Sequence, residues 1–489
     1  MEYIISLDIG TSSVRALVFD SQLVIQETAQ VELKTFYPQN GWVEQDPLEL
    51  WQKSQEVLEK VLQSAQKNNW IIKGIGITNQ RETVVAWSKK TGQPIYNAIV
   101  WQDRRTARYC QKLQKQGWFK KIYEKTGLRL DPYFSASKIN WILNNVEQAK
   151  KIIKNNDLLV GTIDTWLIWN LTKKQSHLTD VSNASRTMLF NIKSLKWDEE
   201  LLKIFKIPFT ILPQVVASAC RGKNFGLAKI KNQEIPLLAV CGDQTSALFG
   251  QNCLIRGEVK ATYGTGGFVV VNAGSKIKLK NSKLITTIAW QINKEIIYAL
   301  EGSIFQSGGS LKWLRDNLGL FNNYEEINLF SNESKDSNGV YLVPAFVGLG
   351  APHWKPEVRG MISGLNHQTR KGHLINAAIE SAAFQVNDIL EVIKKEYKLK
   401  IGSLKVDGGL TKSNYLLQFQ ANISNILVNK NKNEEMTGRG VALMAAKILA
   451  WPSPASLVDK PFKPLATIIQ RKEKLNGWKK SLSQIFKVK

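Results

Sequence analysis

Two short stretches carry residues able to cradle an anion. The first is Leu7-Asp8-Ile9-Gly10-Thr11-Ser12-Ser13-Val14-Arg15, and a related unit recurs as Ala261-Thr262-Tyr263-Gly264-Thr265-Gly266-Gly267-Phe268. Glycine permits φ > 0 and close backbone approach, while Thr and Ser hydroxyls join the free N–H groups of the turn. Successive N–H groups in such a turn make a concave anion site. One such turn is an ordinary hairpin more often than a site. Two in corresponding places of a long chain point to a duplicated domain with a phosphate held between the copies. Asp407-Gly408-Gly409 is a third candidate, at the passage from a strand to a helix, where N–H groups face outward. Neither GxxxxGKS/T nor GxGxxG occurs, so P-loop and Rossmann readings lose their main support. Asp243 follows the apolar run Leu237–Cys241 and Gly242. On residue type alone it is as much a turn or cap residue as an acid or base. Taken alone, adjacent Arg81 and Glu82 are more often a solvated ion pair, and Trp101 more often core.

The elements that must position these residues follow from hydrophobic period. Tyr3–Leu7 and Ala16–Asp20 read as strands flanking the first turn, and Leu23–Leu33 as a third. Asp46-Pro47 starts a helix, with an N-cap, Pro at the first helical position and Glu49 behind the cap. Leu50, Trp51, Val57, Leu58, Val61, Leu62 and Ala65 follow at helical spacing. Ile71–Thr78, Thr83–Trp87 and Asn97–Trp101 read as strands, residues 107–151 as helical, and Leu237–Cys241 as a short buried strand. The second half repeats the scheme. Strands flank Gly264–Gly267, others fall near Leu284–Trp290 and Glu295–Glu301, and a long amphipathic helix covers about His373–Lys395. The strand Leu404–Asp407 precedes a helix starting near Ser413. Antiparallel strands followed by alternating strands and helices predict a mixed α/β sheet in each half. The boundary falls between Gly250 and Gly257, giving domains 1–252 and 253–489.

Composition sets the outer limits. A chain of 489 residues exceeds one core, so two large domains are expected. No apolar run of about 18 residues is present, so no membrane insertion is expected. The N-terminus enters a strand at once and shows no signal peptide. Cys110, Cys220, Cys241 and Cys253 form no CxxC pair, and His177, His353, His367 and His373 form no HxxxH. Neither a disulfide framework nor a structural zinc site is expected, and the cytoplasm is the expected location. The net charge of +25 raises nucleic-acid binding. The excess, however, is scattered Lys amid many Asn and Ile, as AT-rich codon usage produces, without a basic arm or RNA-binding signature. No nucleic-acid partner is expected.

Longer motifs carry a resemblance. They are Asn40-Gly41-Trp42-Val43-Glu44, Gly76-Ile77-Thr78-Asn79-Gln80-Arg81-Glu82-Thr83, Tyr96–Gln102, Asp131-Pro132-Tyr133-Phe134-Ser135, Asn183-Ala184-Ser185-Arg186-Thr187-Met188 and Gly242-Asp243-Gln244. Two signature stretches join them: Tyr133–Asn145 with Lys138 and Trp141, and Gly360–Leu365 leading to Glu380. Nearly end to end, the chain resembles the FGGY family of carbohydrate kinases, within the actin-like ATPase superfamily. The resemblance implies two ribonuclease H-like α/β domains, each a mixed sheet flanked by helices, with the active site in the cleft between them. The Asn-Gln-Arg-Glu-Thr and Asp-Pro-Tyr-Phe-Ser segments are those of the glycerol-phosphorylating members rather than the pentulose members. The implied reaction is ATP-dependent phosphorylation of glycerol to sn-glycerol 3-phosphate, with a kinase for another small polyol or ketose as the alternative. A catalytically dead sensor would be expected to have lost Asp243 or Asp8, and both are present.

Site roles follow from the resemblance together with residue chemistry. Asp243 is the general base toward the attacking hydroxyl. Arg81 donates and Glu82 accepts, so together they hold two hydroxyls. Tyr133 reaches a further hydroxyl, Gln244 adds a contact, and Trp101 and Phe268 wall the carbon chain. Thr11, Ser12, Ser13 and Thr265 serve the β- and γ-phosphates, and Arg15 offsets charge on the transferring group. Asp8 holds Mg²⁺ through water. Gly308, Gly309, Gly409 and Ser413 match positions near ribose and adenine. Lys312 stands where a Gln is common, and Ser413 where an Asn is common. ATP and Mg²⁺ are the implied cosubstrate and ion, and a homodimer or homotetramer the implied assembly. Many bacterial members bind fructose 1,6-bisphosphate on a Gly-Gly-Lys-Gly-Gly-type loop plus an Arg. Here the matching stretch, Leu227–Pro236, is shorter and lacks the glycines, so that inhibition is not expected.

Overall fold

The computed structural model describes residues 1–222, 225–276, 278–280, 283–431, 435–452 and 458–487. Strand β1 (Glu2–Ile9) is buried on both faces beyond Glu2 because it runs through the middle of a sheet. It pairs antiparallel with β2 (Ser13–Phe19), which pairs with β3 (Ile25–Glu32), and parallel with β4 (Ile71–Asn79). Edge strand β3 is largely exposed and carries polar residues. Strands β5 (Leu227–Ile230) and β6 (Gln233–Gly242) complete the sheet, in the order β5-β6-β4-β1-β2-β3. Helix α1 (Pro47–Lys67) starts where Asp46 accepts the Leu48 N–H at 2.8 Å. It buries Leu50, Val57, Leu58, Val61, Leu62 and Ala65 in the core that covers the sheet. The larger of these contribute about 1.5–3 kcal/mol each.

The second large sheet repeats the plan. Its strands are β7 (Val259–Tyr263), β8 (Gly267–Gly274), β9 (Ile285–Ile292), β10 (Glu295–Ile304), β11 (Ser403–Asp407), β12 (Leu427–Asn431) and β13 (Val458–Phe462), in the order β9-β10-β8-β7-β11-β12-β13. Each sheet has an antiparallel meander whose first strand is flanked by parallel crossover strands: β3-β2-β1-β4-β6 in one, β10-β8-β7-β11-β12 in the other. The two-domain actin-like α/β fold is therefore present, with the corresponding turns at 10–12 and 264–266 in equivalent places. Helices α2 (Asp243–Gly250) and α3 (Gly308–Asp316) follow β6 and β10, and α4 (Lys371–Glu396) and α5 (Asn414–Ser424) fall where the sequence pattern has them. Helix α4 buries Ile375, Ile379, Ala382, Val386 and Ile389 in the second core.

Two features depart from the sequence reading. Strand β6 begins four residues before Leu237 and folds back on β5 through the tight turn Lys231-Asn232. Helix α6 (Met436–Ile448), late in the chain, packs on the first sheet. Its Val441, Ala442, Met444 and Ala445 share a core with Ile4, Leu17 and Phe19 of the first half and with Val270, Trp290 and Ala299 of the second. It crosses α2 so closely that a Cβ on Gly440 would lie 1.8 Å from the Ser246 carbonyl oxygen. No described helix is long and apolar enough to cross a membrane.

Candidate active site

The first turn is held from several sides. Within it, Gly10 N donates to Ser13 O at 2.9 Å. Gln45 Nε2 donates to Thr11 O (2.6 Å), Gln80 Nε2 to Gly10 O (3.3 Å) and Trp101 Nε1 to Thr11 Oγ1 (3.0 Å). Thr11 is half-buried, Ser12 exposed and Ser13 buried at the start of β2. The second turn is tied to the N-terminus of α3. Gly308 N donates to Gly264 O, and Ser307 N and Gly309 N to Thr265 O, all at 2.9 Å. The glycines of both turns keep negative φ, contrary to expectation. Close approach demands Gly266 instead, where a Cβ would meet Ile304 O at 2.8 Å. Only at Gly408 (φ 94°) does this group of glycines use the left-handed region, against the backbone of Tyr263.

Asp8 pairs in register with Arg15 across β1 and β2. Burial pushes its carboxyl up to about 7; Arg15 opposes this, while Asp243 and Glu435 add to it. Arg15 is not free. Its Nη1 lies 2.8 and 2.7 Å from the two oxygens of Glu435, at the start of α6. Among the described residues no three His, Cys, Asp or Glu side chains are close enough to ligate one ion. An ion at Asp8 would therefore take its remaining oxygens from water or a phosphate, as Mg²⁺ does.

Asp243 opens α2, its side chain 29% exposed to the cleft. Behind it lies a buried charge cluster. Arg81 Nε is 3.0 Å from Asp243 Oδ1, and Arg81 Nη1 donates to Glu301 Oε2 at 2.6 Å. Glu82 sits 4.0 Å from Arg81 Nε and pairs more tightly with Arg186, whose Nε donates to Glu82 Oε1 at 2.5 Å. Arg186 Nη2 donates to Glu301 Oε1 at 2.9 Å. Arg81, Glu82, Arg186 and Glu301 are all at most 2% exposed. The solvated-pair alternative for Arg81 and Glu82 is thereby removed. Burial pushes the Glu82 carboxyl up, against the pull of Arg186 and Arg81. Glu82 adopts φ 63° in a sharp turn closed by Thr83 N donating to Arg81 O at 2.8 Å. Such backbone costs about 1–3 kcal/mol and persists only where its surroundings impose it.

The walls are aromatic. Trp101 and Tyr133 meet edge to face at 5.6 Å. Tyr133 is fixed by buried Lys138, whose Nζ donates to the carbonyls of Pro132 and Tyr133 at 2.6 Å. Burial pulls the Lys138 ammonium down to about 8. Half-buried Phe268 lies on β8, and its neighbour Val270 pairs in register with Glu301 of β10. Cross-strand partners share a face, which places Phe268 and Glu301 on the same side of the sheet. Gln244 Nε2 approaches Asp243 Oδ2 at 3.4 Å, while its Oε1 accepts from buried Lys260 Nζ at 2.7 Å.

Further out, Lys312 is exposed on α3 and Gly409 is exposed before α5. Ser413 Oγ caps α5 by accepting from Leu416 N at 3.3 Å. The structure brings Arg81, Glu82 and Asp243 together closely, sets Trp101 against Tyr133, and ties Thr265 to Gly309. Among the described residues no comparable contact joins Lys312, Gly409 and Ser413. Arg186, Glu301, Lys260 and Glu435 have no role in the sequence reading. For Lys260 and Glu301 the signal was a charge inside an apolar strand, Val259-Lys260-Ala261 and Leu300-Glu301-Gly302.

Residues 3–250 match the FGGY family of carbohydrate kinases, N-terminal domain, and residues 259–449 its C-terminal domain. A glycerol kinase of Mycoplasmoides gallisepticum is 46% identical over 500 residues, spanning 99% of this chain and 97% of its own. One from Clostridium botulinum is 47% identical over 494 residues, spanning 99% and 98%. The crystal structure of Plasmodium falciparum glycerol kinase with ADP superposes with a TM-score of 0.92 at 36% identity, covering 99% of this chain and 98% of that one. A ligand-bound xylulose kinase from Lactobacillus acidophilus shares the fold, with a TM-score of 0.86 at 22% identity over 99% of each chain. By both domains and over nearly its whole length, the chain belongs to the FGGY family of carbohydrate kinases.

Proposed function

We propose that the chain transfers the γ-phosphoryl group of ATP to glycerol, giving sn-glycerol 3-phosphate. One observation carries the reading: Arg81 and Glu82 are buried beside the partly open Asp243 carboxylate, with Trp101 and Tyr133 as a wall. That pocket suits a small triol, whose hydroxyls need a donor and an acceptor and whose carbon edge needs an apolar face. Arg81 Nε stands 3.0 Å from Asp243 Oδ1 without hydrogen-bond geometry, and a buried donor left unmade is costly. A hydroxyl oxygen held there lies within reach of Asp243, which takes its proton as the oxygen attacks phosphorus. The relatives named glycerol kinase, and the Plasmodium enzyme with ADP, support the same substrates.

The nucleotide side rests on the two turns. Thr11, Ser12, Ser13 and Thr265 present hydroxyl and N–H donors, and Gly308, Lys312, Gly409 and Ser413 lie on the elements around them. Arg15 turns from Glu435 to the transferring group. Asp8 would hold Mg²⁺ through water, and the ion, when bound, supplies positive charge to the β- and γ-phosphate oxygens. A homodimer or homotetramer in the cytoplasm is the setting that goes with this reading. The deciding experiment is a coupled assay of ADP release with glycerol, dihydroxyacetone, xylulose and ribulose. Glycerol is expected to give the highest kcat/KM. A preference for either ketopentose would overturn the assignment.

A further inference from the structure

We propose that Glu301 is a positioning residue for the acceptor clamp, holding Arg81 and Arg186 in place from the opposite half of the molecule. Arg81, Glu82, Arg186 and Asp243 all belong to the first half, whereas Glu301 sits on β10 of the second. Each of its oxygens takes one guanidinium: Oε2 accepts from Arg81 Nη1 at 2.6 Å and Oε1 from Arg186 Nη2 at 2.9 Å. The carboxylate is fully buried. Burial alone would push it up, but Arg186 and Arg81 outweigh burial and hold it down at about 2, so it stays ionised as their counter-ion.

The consequence follows from what each arginine touches next. Arg81 carries Nε to 3.0 Å from Asp243, and Arg186 carries Nε to 2.5 Å from Glu82. Glu301 thus stands behind both acceptor carboxylates without touching the acceptor. Without its charge, Arg81 has Asp243 as its nearest carboxylate and turns toward it, covering the base, while Arg186 loses the contact that orients it on Glu82. The ion network leaves little slack, since removing one partner strands buried charge. Phe268 lies on the same face of the same strand pair. The second half therefore delivers an apolar wall and a counter-ion together, and the clamp is complete only when β10 is seated against the first half.

This inference rests on the proposed function for the identity of the acceptor. Its test compares variants with the unaltered enzyme on whichever acceptor that enzyme prefers, so a wrong acceptor and a wrong role for Glu301 give different results. Glu301→Gln keeps the shape and removes the charge, and Glu301→Asp keeps the charge and shortens the reach. Glu301→Gln is expected to raise the acceptor KM about tenfold or more and to lower kcat, with the KM for ATP within about twofold of the original. Glu301→Asp is expected to recover part of the acceptor KM. A variant that loses thermal stability while both KM values stay unchanged would show a merely structural role and overturn the proposal. Equal losses for acceptor and ATP would do the same. If Glu301→Gln does not fold, Glu301→Asp alone decides: a raised acceptor KM at constant ATP KM supports the role, and an unchanged acceptor KM refutes it.

Discussion

Asp243 combines exposure with constraint. Gln244 N donates to its Oδ1 at 2.6 Å and Arg81 Nε stands at 3.0 Å, so the carboxylate is aimed while its cleft side remains open. Asp243→Asn preserves that shape and removes the proton acceptor. General-base assistance is typically worth about 10²–10⁴-fold, so kcat is expected to fall by that order while glycerol still binds. Steady-state kinetics with a direct glycerol titration checks it, and near-unchanged turnover would remove Asp243 from the role. At this scale the sequence is informative where chemistry is local. Arg81, Glu82, Trp101, Tyr133 and Asp243 lie in stretches whose resemblance names them. The partners behind them are less legible, because Glu301 is 220 residues from Arg81 and reaches it only through the tertiary fold. Arg15 shows the converse: its type suits an anion, but only the structure shows it held by Glu435.

Elements read best where pattern and cap agree. Helix α1 begins at its cap as expected, and the meander strands fall within a few residues of their apolar runs. The β5-β6 hairpin was obscured because charged Lys229, Lys231 and Glu234 interrupt the apolar run, as edge strands commonly require. Those lysines are also engaged, Lys229 with Glu234 at 3.5 Å and Lys231 with Glu59 at 3.2 Å. A tight hairpin without glycine offers no nest of N–H groups for a bisphosphate. Fructose 1,6-bisphosphate is therefore expected to give no saturable inhibition below millimolar concentration, in a titration at constant ionic strength with inorganic phosphate as control. Helix α6 has no counterpart in the sequence reading, and its seat on the other half is not a local property. The contact itself depends on missing side chains, since a Cβ on Gly440 would lie 1.8 Å from the Ser246 oxygen and 2.5 Å from its carbonyl carbon. Backbone cannot yield there as a side chain would. Gly440→Ala is expected to cost about 1–3 kcal/mol and to lower kcat, because α2 carries Asp243 at its first turn. Thermal unfolding and kinetics measured together check this; an unchanged pair would show slack between α2 and α6.

For the whole molecule, duplication leaves two similar halves that must cooperate at one cleft. Two of the contacts between them bear on motion. Near the α2–α6 crossing they share a packed core of Ile4, Leu17, Phe19, Val270, Trp290 and Val441, which resists sliding. At the cleft they meet through ion pairs, Glu301 with Arg81 and Arg186, and Glu435 with the one-third-exposed Arg15. The part-exposed Arg15–Glu435 pair can exchange its partners for water more readily than a packed core can yield, so the crossing is the expected pivot and the cleft the expected opening. Opening admits ATP. Closure is expected to exclude water, which competes with glycerol as a nucleophile, and to bring Phe268 toward the acceptor with Glu301 behind Arg81 and Arg186. Glycerol together with a non-hydrolysable ATP analogue is therefore expected to lower the radius of gyration measured by small-angle scattering, and glycerol alone to lower it less. Superimposable profiles for free and doubly bound protein would rule closure out, and would mean that ATP enters a cleft already shaped for transfer.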